Sequence, residues 1–133
     1  MKKYIGTKVI MAEPLTMTEA QKVLGRELKP ATAEEDGYLV EYKDGYKSWS
    51  PKSVFEEAYK PSDTVLDRLK IERYELRERI EKLEDFIGLN FAEAAKKVGH
   101  YQAALLLIQR GYMVNYLDVL ESRIDLIEKE TGN

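Results

Sequence analysis

The chain has 133 residues, of which 44% are hydrophobic and 34% charged, carries a net charge of −3 and contains no cysteine. That length suits one domain, or one small module with a helical extension, and its core is modest enough that assembly would help it. The missing cysteine excludes a disulfide framework, thiolate metal ligands and a cysteine nucleophile. The slightly acidic balance argues against duplex nucleic acid, and no segment reaches the roughly 18 apolar residues that span a bilayer, so a cytosolic protein is expected.

Residues 1–60 carry strand and turn signals. Lys3 to Met11 alternates like a strand that Pro14 closes. Thr16, with Glu19 three residues on, reads as a capping box for a short helix from Met17 to Leu24, which Gly25 stops. The polar run "RELKPATAEED" is a loop. In "GYLVEYKDGYKSWSP" the pair Asp44 and Gly45 predicts a type I′ turn between two aromatic-rich strands, with Tyr38, Val40 and Tyr42 on one face. Trp49, Tyr38, Tyr42 and Tyr46 then form the core and edge of the sheet. Ser50 before Pro51 reads as an N-cap with proline in the first turn, so "PKSVFEEAY" should pack Val54, Phe55 and Tyr59 under the sheet.

After Pro61 the period becomes that of long helices. Leu69, Arg73, Leu76, Ile80, Leu83 and Ile87 recur at intervals of four and three, flanked by Glu75 with Arg79 and Glu78 with Lys82. Gly88 ends this helix. Asn90 with Glu93 opens a short one, Phe91 to Lys97, which Gly99 stops, and a final helix runs from about His100 to Glu130, ~45 Å at 1.5 Å per residue. The expected fold is therefore α+β: a small antiparallel β head with short helices over residues 1–60, and a long antiparallel helical hairpin over residues 61–133 whose seam seeks another copy.

The final helix raises a chemical question. Gln109, Met113, Tyr116, Leu120 and Arg123 are spaced four, three, four and three, which predicts one seam containing a glutamine, a tyrosine and an arginine. A polar seam residue can fix register and oligomeric state. The same set, facing Phe86 and Phe91, could instead line a pocket for a nucleotide, since aromatic rings stack on bases, amides read base edges and guanidinium forks bind phosphate. Taken singly, Phe86 and Phe91 suit a core, Asn90 a helix cap, Arg110 a solvated face and His100 an exposed helix start.

For catalysis the best candidates are Glu81 with Glu84 and Asp118 with Glu121, because all-α nucleotide pyrophosphohydrolases hold magnesium with carboxylates three apart on facing helices. Those acids fall beside the expected seam, and the second pair runs Asp then Glu where that pattern has Glu then Asp. No enzyme, no metal site and no cofactor are therefore expected.

Two stretches resemble known proteins. "KKYIGTKVIMAEP" followed by "GYLVEYKDGYKSWSPKSVFEEAY" resembles a head module of small phage proteins, and "LEDFIG" through "QRGYMVNYLDVLESRI" resembles the helical hairpin shared by the Thoeris anti-defense protein 1 family and phage anti-CBASS sponges. Together they look like the Thoeris anti-defense protein 1 family. That resemblance implies a non-enzymatic sponge in the cytoplasm of an infected bacterium, which holds glycocyclic ADP-ribose isomers, and in some members cyclic oligonucleotides, away from the immune effector. It also implies self-assembly through the hairpins into homodimers and, in several members, homohexamers. By the same analogy Phe86 or Phe91 stacks on a base, Arg123 and Arg110 hold the diphosphate, Gln109 and Asn90 donate hydrogen bonds, and Met113 and Tyr116 complete the ligand-binding set. The competing reading is a phage structural or adaptor protein that uses the hairpin only to oligomerise. Response to a cyclic nucleotide separates the two.

Overall fold

The computed structural model describes residues 1–30, 32–88 and 90–131. The chain divides into two compact units, Met1–Lys60 and Pro61–Asn133. The fold is α+β, a small antiparallel sheet followed by long helices.

In the first unit, strands β1 (Met11–Pro14), β2 (Gly37–Glu41) and β3 (Lys47–Pro51) form an antiparallel sheet in the order β1-β2-β3. The strand expected over Lys3 to Met11 is displaced. Met11 pairs with Glu41, the last residue of β2. The chain ahead of Met11 therefore runs past the turn where its partner strand has already folded back, and residues 3–10 form no strand. Pro14 closes the strand as expected: it occupies the last position of β1, opposite Tyr38, where an edge strand tolerates its missing N–H.

The β2–β3 connection is also not the expected type I′ turn. Among the described residues only glycines have positive φ, so Asp44 cannot take the left-handed position that type I′ demands of it. Instead the Gly45 N–H donates to Tyr42 O, the Tyr42 N–H donates to Tyr46 O, and Gly45 alone is left-handed at φ 88°. This is a three-residue loop closed by a glycine bulge. Asp44 accepts from the Tyr46 N–H at 3.0 Å.

Helix α1 (Met17–Leu24) follows the sequence reading at both ends. Thr16 accepts from the Glu19 N–H, and Gly25 ends the helix at φ 68°. Only half of the expected box forms there, and a distant acid, Glu35, accepts from the Thr18 N–H of the same first turn. Helix α2 (Lys52–Ala58) differs more. Pro51, not Ser50, is its N-cap and supplies no side-chain bond; Glu34, from the preceding loop, accepts from the Ser53 N–H at 2.9 Å and from its hydroxyl. Phe55 stacks on Tyr38 at 4.1 Å and on Tyr59 at 5.1 Å, while Val54 stays exposed. Across the sheet Leu39 faces Trp49, whose indole N–H donates to Leu15 O at 2.7 Å. Gly37 is required here: a Cβ would lie 2.4 Å from the Trp49 ring and 2.3 Å from Ser50 O.

The second unit contains α3 (Val65–Ile87), α4 (Phe91–Val98) and α5 (His100–Thr131). Thr64 and Asp67 form a reciprocal capping box at the start of α3, a signal that the change of period after Pro61 does not by itself reveal. Leu69, Leu76, Ile80, Leu83 and Ile87 are buried as the spacing predicts, with Arg73 half-buried among them. Arg77 pairs with Glu121 and Glu84 pairs with Arg110, so α5 runs back along α3. Leu120 and Ile124 are fully buried in this hairpin core, with Leu66, Met113, Leu117 and Ile127 packed against it.

The stripe that α5 presents to α3 is not the one expected. Met113 and Leu120 belong to it, but Leu117, Ile124 and Ile127 complete it, whereas Gln109, Tyr116 and Arg123 are exposed. Placing a glutamine and an arginine in the seam would have required burying an amide and a charge, and the helix turns them out to water.

Candidate ligand-binding site

The end of the hairpin where α3 gives way to α4 and α5 gathers most of the expected site. The last turn of α3 leaves the Phe86 ring 37% exposed, and Lys97 from the last turn of α4 sits over it, Nζ 5.7 Å from the centroid. At the other end of α4 the Phe91 ring is 38% exposed and lies 6.3 Å from the His100 imidazole, tilted by 42°. Two phenylalanine rings partly open to water, one under a lysine and one beside an imidazole, form an arrangement that suits a planar ligand carrying negative charge.

Asn90 is tied down. Its side-chain oxygen accepts from the Ala92 N–H at 3.0 Å and the Glu93 N–H at 3.4 Å, so Asn90 serves as the N-cap of α4 and only its amide N–H₂ remains for a ligand. Glu93 does not close a box; it pairs with Lys96 at 3.3 Å. Gly99, at φ 90°, breaks α4 from α5, and Ala94, Ala95 and Ala103 pack the two helices closely. Small residues let α4 lie near α5, and this holds Phe91 beside His100.

On α5, Arg110 donates from Nε to Glu84 at 3.3 Å, with both side chains about half exposed. A phosphate could compete for such a guanidinium, since an exposed pair is worth little. Gln109 is exposed, its amide 3.7 Å from the Met113 sulfur, and Met113 belongs to the hairpin core rather than to an open surface. Tyr116 and Arg123 are exposed, one and two heptads beyond Gln109, so Arg123 stands about 21 Å along the helix from it. The structure thus brings Phe86, Asn90, Phe91 and Arg110 to one end of the hairpin, with Gln109 next to Arg110 in sequence, and leaves Tyr116 and Arg123 away from them.

Lys97 and His100 were missed as site residues. Lys97 is one of two adjacent lysines at a helix end, and nothing local marks which of them meets a ring. The acids weighed for metal binding do not converge: Glu84 is engaged by Arg110 and Glu121 by Arg77. Among the described residues no group of three or more His, Asp or Glu is placed to hold a metal ion, and no helix is long and apolar enough to cross a membrane.

A two-helix hairpin with an aromatic and cationic end defines a small α+β protein with a candidate binding surface on its helical unit. Residues 63–126, which are the hairpin without its last turns, match the model of the family described as Sequestin, a name that points to sequestration. No curated protein and no solved structure matches the chain.

Proposed function

We propose that this protein is a phage anti-defense sponge, which binds glycocyclic ADP-ribose isomers, and cyclic oligonucleotides as a second class, and withholds them from the host effector without degrading them. The observation that carries the proposal is the juxtaposition of Phe86 under Lys97 with Phe91 beside His100, within the segment that matches Sequestin. Rings of this kind stack on an adenine, and Lys97 and Arg110 supply cations for the diphosphate. The resemblance to the Thoeris anti-defense protein 1 family supports the choice of ligand, the absence of turnover, assembly into homo-oligomers, and action in the infected cell's cytoplasm.

A sponge acts by mass action, so its affinity must exceed the effector's; nanomolar binding, about −12 kcal/mol, is the expected order. The test is a thermal-shift titration with glycocyclic ADP-ribose isomers, plain cyclic ADP-ribose and cyclic oligonucleotides, followed by heating to recover the ligand. A shift of several degrees with intact ligand released supports the sponge. Altered ligand would return Glu81, Glu84, Asp118 and Glu121 to consideration as an active site, and no shift with any nucleotide leaves the adaptor reading in its place.

A further inference from the structure

Charge in the first unit is sorted along its strands. Residues 1–60 hold ten basic and ten acidic side chains, so the net −3 of the chain resides wholly in residues 61–133. Glu34, Glu35 and Asp36 lead into β2 at its Gly37 end, and there Glu56 accepts from the Tyr38 hydroxyl at 2.9 Å. Lys8, Arg26, Lys43 and Lys47 gather at the opposite end, around the β2–β3 turn. Glu41 pairs with Lys47 at 3.6 Å and Asp44 is engaged by the Tyr46 N–H, so the turn keeps a positive excess. The arm ahead of β1 adds Lys2 and Lys3 and contains no acid.

The aromatic rings are sorted in the same way. Tyr38 is covered by Phe55 of α2 at 4.1 Å. Tyr42, four residues on and on the same face of the strand, stacks instead on Tyr46 across the turn, with centroids 6.1 Å and planes 19° apart, and Tyr46 is 53% exposed. A cation stands over each ring: Lys8 Nζ is 5.5 Å from the Tyr42 centroid, and Arg26 Cζ is 5.7 Å from that of Tyr46. Arg26 is fixed there by two bonds at 3.3 Å, from Nη2 to the Tyr46 hydroxyl and to Lys47 O, which leaves Nε and Nη1 to fork a phosphate.

We propose that the turn end of the first unit is a platform for single-stranded nucleic acid, with two successive bases on Tyr42 and Tyr46 and the phosphates beside them on Lys8, Arg26 and Lys43. The row runs cation, ring, ring, cation, which is the order a single strand presents to a surface that stacks its bases and tracks its backbone. An exposed cation–π contact is weak, so a base displaces each cation from its ring to the adjoining phosphate. Duplex is a poor fit, because its base faces are already stacked on one another and a three-residue turn offers few phosphate contacts. An acidic peptide would engage the cations and leave the two rings without a role. No side chain here is placed to read a base edge, so binding is expected to tolerate sequence. The platform is independent of the candidate ligand site on the second unit.

The test is fluorescence anisotropy of the full chain with labelled oligothymidylate and oligouridylate, against a duplex of the same length. Both single strands are expected to bind more tightly than the duplex. Their log–log salt slope should be about −2, as three phosphate contacts give for a single strand. Tyr46→Ala should weaken binding about tenfold or more, whereas Tyr46→Phe, which keeps the ring and loses only the hydroxyl bond to Arg26, should bind as the wild type does. Lys8→Glu with Lys43→Glu should weaken it further and flatten the salt slope. Lys52→Glu, a reversal at the acid end where its N–H bonds Asp36 O, should change little. No binding at low salt overturns the platform. So does polyglutamate that competes as well as unlabelled strand, or a Tyr46→Ala protein that binds as tightly as the wild type, since either reduces the turn to a general anion site. Loss of strand binding in Phe86→Ala, with retention in the Lys8 and Lys43 variant, would place the strand on the second unit and also overturn it.

Discussion

The two long helices of the second unit solve the same packing problem unequally. Helix α3 has one buried stripe, and around it stand exposed charges, among them Glu75, Glu78, Arg79 and Lys82; its exposed large side chains, Val65, Tyr74 and Phe86, are scattered, and Tyr74 donates to Glu78 at 3.1 Å. Helix α5 fills one side with Leu120 and Ile124 against α3 and repeats an apolar row on the other. A helix with one stripe is satisfied by one neighbour, and a helix with two is built for two. The difference assigns the roles: α3 supports, and α5 both packs and presents.

The sharpest way to break that comparison is to truncate adjacent residues on the two sides of α5. Leu120→Ala empties a fully buried position and is expected to cost about 2–5 kcal/mol in thermal melts followed by far-UV circular dichroism. Val119→Ala, on the outer row, is expected to stay within about 0.5 kcal/mol when measured in dilute solution. Equal losses would mean that the two sides are not distinct. Next in size is the start of α3: Thr64→Ala removes the acceptor for the Asp67 N–H, and about 1 kcal/mol of hairpin stability should go with it in urea titrations. Arg110→Ala should cost less than ~1 kcal/mol because its partner Glu84 is about as exposed as itself, so a large loss of nucleotide binding in this variant would report ligand contact and not unfolding.

The smallest effect belongs to the first unit. Hydrogen bonds from the Ser53 hydroxyl, and then from its backbone N–H, hold the Glu34 carboxyl below the usual 4.5. A lowered folded value means that the ionised form is favoured by folding. The stabilisation is complete above the ordinary glutamate range and is lost as pH falls through the lowered value. Hydrogen exchange of the Ser53 amide should therefore accelerate on the acid side of that range beyond its intrinsic trend in the wild type, and show no such step in Glu34→Gln. An identical step in both proteins would remove Glu34 as the cap of α2.

Local rules were enough for much of this fold. Thr16 and Gly25 bound α1, Asn90 and Gly99 bound α4, and the α3 stripe from Leu69 to Ile87 followed from period alone, because each rests on a bond or a face only a few residues long. What failed was set at a distance. Glu34 caps α2 across 19 residues, and β1 begins only where its partner strand still runs beside it. The phase of α5 failed for a different reason: a helix apolar on two sides offers two heptads, and Met113 with Leu120 fits more than one reading of them. That error carried Gln109, Tyr116 and Arg123 into a core they do not enter, while the exposure of Phe86 and Phe91 follows from their places in the last turn of α3 and the first turn of α4.

Trp49 has one more consequence. It is the chain's one tryptophan and lies buried in the first unit with its indole N–H bonded to Leu15 O, whereas residues 61–133 hold none. Tryptophan fluorescence, excited beyond the tyrosine band, therefore watches the first unit alone while helical ellipticity is dominated by the hairpin, and the protein comes with two spectroscopic channels, one for each unit, without any label being attached.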